Sequence, residues 1–417
     1  MSADPVLIDV VQLHAEETAM LHGARARLTR APHIALEALA RMDARIAAHL
    51  DGMDVAARSN PDLPDCLSTV DGGGATFTLT VRALEERNRM RLDELIGLAH
   101  GDPDAFKGLL SATAWVEPSR LRGLIPDLLG SAEPARRIVG ISASAMHRVD
   151  PRVATCVQDQ DPRVRARAFR AAGEIGKQEL VSLCARCLAD PDPGVQFWAA
   201  WSAVLLGDRQ SALDFLGERA GQEHEWRPRA VALALRAMPV GQGHSLLQGF
   251  AQIEDQRRDL VHGSGLVGDP AYVPWLIGQM SDDRLARLAG ESFTMITGLD
   301  LSRPPFYREH PANFESGPTE DPADENVGMD EDDDLPWPDQ AKVQEWWGQN
   351  AARFTIGVRH FMGAPPGRAH CIHVLKNGYQ RQRIAAAFHL VLLNPGTPLF
   401  EWRAPASRQQ SALAQMS

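Results

Sequence analysis

The chain has 417 residues, of which 44% are hydrophobic and 6% aromatic, and its formal net charge is −11. All of that charge lies in residues 310–341, which contain eleven acids and no Lys or Arg; the other 43 acids equal the 43 Lys and Arg. This balance argues against a nucleic-acid partner, because duplex-binding proteins carry a basic excess. No run approaches the ~20 apolar residues of a membrane span, residues 1–10 lack the charged-then-apolar layout of a signal peptide, and cysteines are sparse. We therefore expect a cytoplasmic protein without membrane contacts.

Residues 1–58 predict two helices around the Thr-Arg-Ala-Pro stretch at 29–32, which we interpret as an N-terminal helical cap. Several polar side chains in this cap are conceivable metal ligands or acid–base groups: His14, Glu16, Glu17, His49 and Asp51. Their spacing matches no standard metal motif. We expect surface or capping roles for them, and no metal or other cofactor.

An internal repeat fills residues 59–302. Residues 161–176 overlay on residues 192–207: each stretch opens with Asp-Pro, continues with apolar residues at helical spacing and closes on Gly. Asp is a good N-cap, Pro suits the first helical position and Gly ends a helix. Similar second helices are predicted to start near Gly74, Pro103, Glu133, Asp161, Asp192, Trp226, Asp255 and Asp282, at steps of 27 to 34 residues. This period predicts about eight stacked helix pairs that share a continuous core, an α-solenoid.

The remaining chain predicts two further parts. Residues 303–339 form an acidic linker, rich in Pro, Asp and Glu, which we expect to be disordered. Residues 340–417 form a small C-terminal segment with helical patterns at 338–354 and 380–393, followed by an extended tail from residue 398.

The Asp-Pro-x-Val-Arg-x-x-Ala pattern at 161–168 resembles HEAT-repeat proteins. Six other stretches are similar to one uncharacterised bacterial family of HEAT-like proteins: 14–17, 30–33, 49–52, 286–291 together with 295–300, 380–383 and 400–405. Genes of that family often lie beside type VI secretion components. The resemblance implies an all-α, HEAT-like solenoid and an accessory role in secretion, and it supplies no catalytic residue.

The candidate partner-binding residues are arginines and tryptophans of the predicted second helices and of the C-terminal segment. They are Arg136, Arg137, Arg163, Arg165, Arg167, Trp198, Trp201, Arg227, Arg381 and Arg383. One interpretation is a row along a concave face that binds an acidic partner, because Trp and Arg dominate binding hot spots. The other is structural: an Asp–Arg ladder between repeats that uses Asp161, Asp192, Asp255 and Asp282, with the tryptophans in the core. Cys184 and Cys187 lack the further ligands of a zinc site, and we expect them to be buried structural residues.

The sequence thus favours a non-enzymatic scaffold, adaptor or chaperone-like protein that binds protein partners, such as a secretion effector or a spike-associated protein. An immunity protein that binds a toxin is a variant of this hypothesis. The alternative is a HEAT-fold enzyme, DNA glycosylase-like or bilin lyase-like; the charge balance disfavours the glycosylase. We also predict that the acids at 330–334 occupy Arg136, Arg137, Arg163, Arg165 and Arg167 until a partner displaces them, the alternative being a simple spacer.

Overall fold

The computed structural model describes residues 8–59, 72–312, 314, 317 and 330–416. Within these ranges the chain forms twenty-one α-helices and no strand beyond two isolated bridges, which confirms the all-α prediction. The described residues fall into two compact units. Unit 1 combines the residues up to Leu206 with those from Pro395 onward, and unit 2 is Gly207–Asn394.

The first part of unit 1, up to Leu206, contains α1 (Ile8–Leu28), α2 (Leu36–Ser59), α3 (Gly73–Glu85), α4 (Arg89–Ala99), α5 (Pro103–Trp115), α6 (Leu124–Leu129), α7 (Pro134–Met146), α8 (Val153–Cys156), α9 (Pro162–Ile175), α10 (Val181–Arg186) and α11 (Pro193–Leu206). Those of unit 2 are α12 (Ser211–Ala220), α13 (Arg227–Ala237), α14 (Val240–Ala251), α15 (Arg257–Val267), α16 (Val273–Gln279), α17 (Ala286–Thr297), α18 (Gln340–Asn350), α19 (Arg368–Asn377) and α20 (Gln380–Leu393). The last helix, α21 (Ala406–Ala414), belongs to unit 1.

Local signals set the ends of the repeat helices. The Asp161 carboxylate accepts the backbone N–H of Arg163 at 2.8 Å, which satisfies a donor that has no partner inside α9. The same helix ends at Gly176 in the left-handed region, at φ 76°. The eight second helices (α3, α5, α7, α9, α11, α13, α15 and α17) each begin within four residues of the predicted starts.

The second helices stack in order within each unit. In unit 1, α3 packs on α5, α5 on α7, α7 on α9, and α9 on α11, while α1 contacts both α2 and α3. In unit 2, α13 packs on α15, and α15 on α17. Each unit has its own hydrophobic core, with fully buried residues such as Leu109 in unit 1 and Phe293 in unit 2. The apolar face of one helix pair is thus covered by the next pair, as in an α-solenoid.

The tail from Pro395 to Met416 differs from the extended chain that the sequence analysis expects. It contains α21, which packs against α2. Ala406, Gln409 and Leu413 are buried and lie on one face of α21, since their spacing of three and four residues follows the helical period. That spacing is a helix signal, so the extended-tail prediction was wrong. Helix α19 also went unpredicted.

Backbone hydrogen bonds join the two ends of the predicted linker at 303–339. The N–H of Arg308 donates to the Trp337 carbonyl, and the N–H of Asp339 donates to the Phe306 carbonyl, both at 2.8 Å. Trp337 is also buried. The expected disorder is therefore wrong for residues 303–312 and 330–339, because the two segments pair at 306–308 and 337–339 and ion pairs bind Asp330 and Asp332. Residue 313 and residues 315–316 and 318–329 lie outside the described residues, so the expectation remains untested there.

Candidate interaction surfaces

Three of the predicted arginines form ion pairs that join successive repeats and are called rungs here: Arg137, Arg165 and, in unit 2, Arg227. Arg137 of α7 binds both carboxylate oxygens of Asp159, at 2.8 and 2.9 Å. Arg165 of α9 binds Asp190, one repeat later, at 3.2 Å. These guanidinium groups also bind carbonyl oxygens of the loops before their own helices, so each rung ties a loop to its neighbour. The bidentate contact is a strong, geometrically specific one.

The rungs correct the predicted ladder in one respect. The acceptors are Asp159 and Asp190, whereas Asp161 and Asp192 use their carboxylates as N-caps. The sequence contains the signal, because Asp-x-Asp-Pro occurs at both 159–162 and 190–193. In unit 2, Arg227 makes an equivalent contact with Asp259 at 2.7 Å.

Arg136 and Arg163 differ in how accessible they are. Arg136 pairs with Asp93 of α4, and its side chain is 20% exposed. Arg163 pairs at 2.7 Å with Asp161 of its own helix cap, and its side chain is 60% exposed. Arg163 is therefore the arginine of the predicted row that a partner would reach most readily.

A second group surrounds Glu174 at the end of α9. Arg167 and Arg170 approach its carboxylate at 3.0 and 2.8 Å, and Arg403 of the tail contributes a further positive charge. Burial alone would raise the pKa of Glu174, but the three guanidinium groups outweigh it and lower the pKa to about 2. The arginines thus hold a charged carboxylate in a place where an isolated one would be costly.

The two tryptophans have different environments. The Arg170 guanidinium lies 4.6 Å from the ring centre of Trp198, within cation–π range. Trp198 is half-buried and contacts Trp201 edge to face, at 5.5 Å between ring centres. Trp201 is 5% exposed and belongs to the core. Trp201 therefore cannot serve as a surface contact, which corrects that part of the prediction, and Trp198 remains a candidate.

The tail binds the N-terminal helices of unit 1 through a buried ion pair. Arg25 of α1 donates to the Asp43 carboxylate of α2 and, at 3.0 Å each, to the carbonyls of Arg403 and Ala404. Asp43 in turn accepts the N–H of Ala406 at 2.6 Å. The pair therefore satisfies backbone groups of the tail as well as its own charges.

Farther along the tail, Arg408 caps α5. Its guanidinium donates to the carbonyls of Ala114 and Val116, at 2.8 and 3.2 Å. The last carbonyls of a helix have no partner inside it and carry the negative end of the helix dipole, so a cation stabilises them. Tail residue Gly396 lies directly against Gly176, at the end of α9.

In unit 2, an arginine likewise caps the carbonyl ends of helices. Arg359 donates to the carbonyls of Leu235 and Met238 at the end of α13, at 2.7 and 2.8 Å, and to that of Val267, the last residue of α15, at 2.9 Å. Burial lowers the pKa of Arg359 to about 10. The segments that cap these helix ends were not predicted, because nothing in the local sequence around Arg359 or Arg408 specifies a distant carbonyl.

The two C-terminal arginines of the prediction also differ. Arg383 is fully buried and donates to the Leu375 carbonyl at 2.8 Å, so its guanidinium is unavailable to a partner and that prediction is wrong. Arg381 is 29% exposed and binds Glu291 at 2.8 Å. It also donates to the Glu331 carbonyl, at 2.9 Å.

The acids at 330–334 contact other arginines than the predicted ones. Asp332 pairs with Arg258 and Asp330 with Arg287, both in unit 2. The predicted contact with the arginines between 136 and 167 is therefore wrong. Those arginines bind carboxylates much closer to them in sequence.

The remaining candidate residues are the polar side chains of the N-terminal helices and the cysteines. His14 and His49 face each other with 3.0 Å between their Nδ1 atoms. Across the described ranges, no group of three or more His, Cys, Asp or Glu has metal-binding geometry. Cys184 is fully buried and Cys187 partly buried, and burial raises the pKa of both thiols. Thiols of this kind are poor nucleophiles.

Comparison with known proteins bears on the repeats themselves. Residues 149–236 match the family model of HEAT repeats. The match runs from α8 into α13 and includes the rung between Arg165 and Asp190. No curated protein matches the chain. The helix pairs, their stacking and this match agree on an all-α solenoid of HEAT-like repeats. Among the described residues, no helix is both long and apolar enough to cross a bilayer.

Proposed function

We propose that this protein is a non-enzymatic helical scaffold that binds other proteins, as an adaptor or a chaperone-like accessory protein. The observation that carries the proposal is the stacking of the second helices within each unit, with Asp–Arg rungs between them; the rung of Arg165 lies in the part of the chain that matches HEAT repeats. HEAT repeats use such stacks as extended binding surfaces. A rigid surface also limits the entropy that binding would cost.

Arg163 and Trp198 are the residues that we assign to the partner surface. Arg163 lies at the start of α9 with most of its side chain in solvent. Trp198, half-buried on α11, is held by the Arg170 guanidinium. An anchored aromatic ring and an accessible arginine are the side chains most often found at binding hot spots. The balanced charge of the chain outside residues 310–341 fits a protein partner better than a nucleic acid.

Affinity capture from a native lysate, with crosslinking and mass spectrometry, tests this proposal. Arg163→Glu should reduce the captured partner at least about tenfold, since a hot-spot residue contributes ~2 kcal/mol or more. Arg89→Glu is the matched control, because Arg89 is also an exposed arginine of unit 1 in an exposed ion pair, at 61% side-chain exposure. Equal capture by both variants and the wild type would contradict the assigned surface. Capture of no protein at all would contradict the scaffold function.

The finer assignment, an accessory protein of type VI secretion, is supported by the family resemblance of the scattered motifs. Crosslinks to a secretion effector or a spike-associated protein would support it. A stable partner without any connection to secretion would remove it and leave the scaffold function intact.

A further inference from the structure

The acidic loop of unit 2 is bound in the way that a peptide is bound by a receptor. Arg258 forks onto Asp332, with 2.9 Å from each of its terminal nitrogens to a carboxylate oxygen. Arg287 binds the Asp330 carboxylate at 2.6 Å and donates to the Asp332 carbonyl at 3.1 Å. Arg381 donates to the carbonyl of the intervening Glu331. The three arginines thus contact both the side chains and the backbone of an Asp-x-Asp sequence.

We name Arg258, Arg287 and Arg381 the arginine site. Alternate residues of the loop point in opposite directions: Asp330 and Asp332 have 15% and 5% of their side chains exposed, whereas Glu331 has 87%. The loop therefore presents one acidic edge to the arginine site and another to solvent.

The arginine site needs acidic groups beside it to be electrically neutral. Its three positive charges face Glu291 and the two inward carboxylates of the loop, so the group is neutral only while the loop is in place. Without the loop, two positive charges would remain uncompensated beside α15 and α17. Burial raises the pKa of Glu291, Arg381 opposes this, and Asp332 adds to the increase. The nearby loop therefore does not stabilise the charged form of Glu291.

The fit of the loop is incomplete. Trp337 lies over the Arg287 guanidinium, with the ring centre 4.6 Å from the central carbon, and fixes its plane. Within the described residues, however, the Nε atom of Arg287 is buried and has no hydrogen-bond partner. A carboxylate seated across Nε and a terminal nitrogen would satisfy it. The rim is accessible, because 42% of the Arg258 side chain and 29% of the Arg381 side chain are exposed.

We propose that the arginine site binds an acidic segment of a protein partner, an Asp-x-Asp peptide, and that residues 330–332 occupy it in the free protein. This inference rests on the proposed function and names the chemistry of one partner. The loop is tethered at both ends of its base by the backbone pairing of residues 306–308 with 337–339. A tethered ligand acts at an effective concentration of about millimolar, so a partner needs contacts elsewhere or a better fit to displace it.

The test measures binding of a fluorescein-labelled peptide with the sequence of residues 329–338 to the full chain, by fluorescence anisotropy. The double variant Asp330→Asn and Asp332→Asn removes the carboxylates that occupy the site, and it should bind the peptide at least about tenfold more tightly than the wild type. The affinity should fall as salt rises from ~20 to ~300 mM, because the site is partly exposed. Adding Arg258→Ala to the double variant should abolish the gain.

The matched control is Asp333→Asn with Asp334→Asn, which removes two charges from the same loop at exposed positions, whereas Glu331 lies within 4.0 Å of Arg258 and is left unchanged. It should bind the peptide like the wild type. If both double variants gain equally, the effect is general loop charge and the proposal is wrong. If neither gains although circular dichroism shows intact folding, the loop is a permanent part of unit 2 and the proposal is also wrong.

A second measurement uses the unchanged protein, in case the double variant does not fold. Hydrogen exchange of residues 330–335 is followed in the wild type with and without excess unlabelled peptide. Displacement should accelerate exchange of these amides, and unaltered exchange at saturating peptide would overturn the proposal. Failure here is distinguishable from failure of the proposed function, because partners captured through Arg163 would still be found.

Discussion

Replacing Asp43 with alanine should destabilise unit 1 and release its tail. The side chains of Asp43 and Arg25 are 11% and 6% exposed, so the ion pair is shielded from water and salt. The substitution leaves the Arg25 charge without its counter-ion and the Ala406 N–H without its acceptor. Breaking a buried pair by removing one partner costs about 3–5 kcal/mol.

Urea denaturation followed by tryptophan fluorescence would measure this loss, and limited proteolysis would report whether the tail becomes accessible. Asp127→Ala provides the control, because the Arg89–Asp127 pair has 61% and 49% of its side chains exposed. Exposed pairs contribute less than about 1 kcal/mol. If Asp43→Ala also costs less than about 1 kcal/mol and the tail stays protected, the ion pair does not hold the tail and the reasoning fails.

Four further predictions concern a helix end and buried titratable groups. Gly176→Ala should destabilise by more than ~1 kcal/mol in urea, because the position has φ 76° and a methyl group would overlap the Gly396 carbonyl. Glu174→Gln should cost about 2–3 kcal/mol at pH 7, since the pKa falls from 4.5 to about 2 on folding; this stabilisation is lost as pH drops through that window. Glu291→Gln, where burial raises the pKa, should be neutral or stabilising at pH 7; a loss comparable to that of Glu174→Gln would contradict the assignment. Burial lowers the pKa of His22 to about 4, so the wild type should lose stability from pH 6.5 to 4, where the unfolded state binds the proton first, and His22→Gln should lack that slope in denaturation measured against pH.

The repeat helices could be predicted from the sequence because their signals are local. An N-cap carboxylate such as that of Asp161 acts within three residues, and a helix-ending glycine such as Gly176 acts at its own position. The acceptors of Arg137 and Arg165 were misassigned by two residues, since Asp161 and Asp192 use their carboxylates to cap their own helices. Asp159 therefore takes the contact that was expected of Asp161.

The long-range contacts could not be predicted in the same way. Asp332 lies 74 residues from Arg258, and an excess of acids in the sequence does not determine which arginine they bind. The backbone pairing that closes the loop determines its location, and it involves residues such as Arg308 and Trp337 without any sequence motif. The capping contacts of Arg359 have the same character. Helix α21, by contrast, could have been found from the spacing of Ala406, Gln409 and Leu413.

The assembly of unit 1 from two distant parts of the chain has a consequence for biosynthesis. Its tail is translated only after all of unit 2, Gly207–Asn394. At 5–20 residues per second, the ribosome needs roughly 10 to 40 s to synthesise that insertion. During this interval Arg25 and Asp43 lack their tail partners, and the C-terminal carbonyls of α5 lack Arg408. Until the tail has been synthesised, the contacts between the N-terminal part of unit 1 and its tail cannot form, and unit 1 is incomplete.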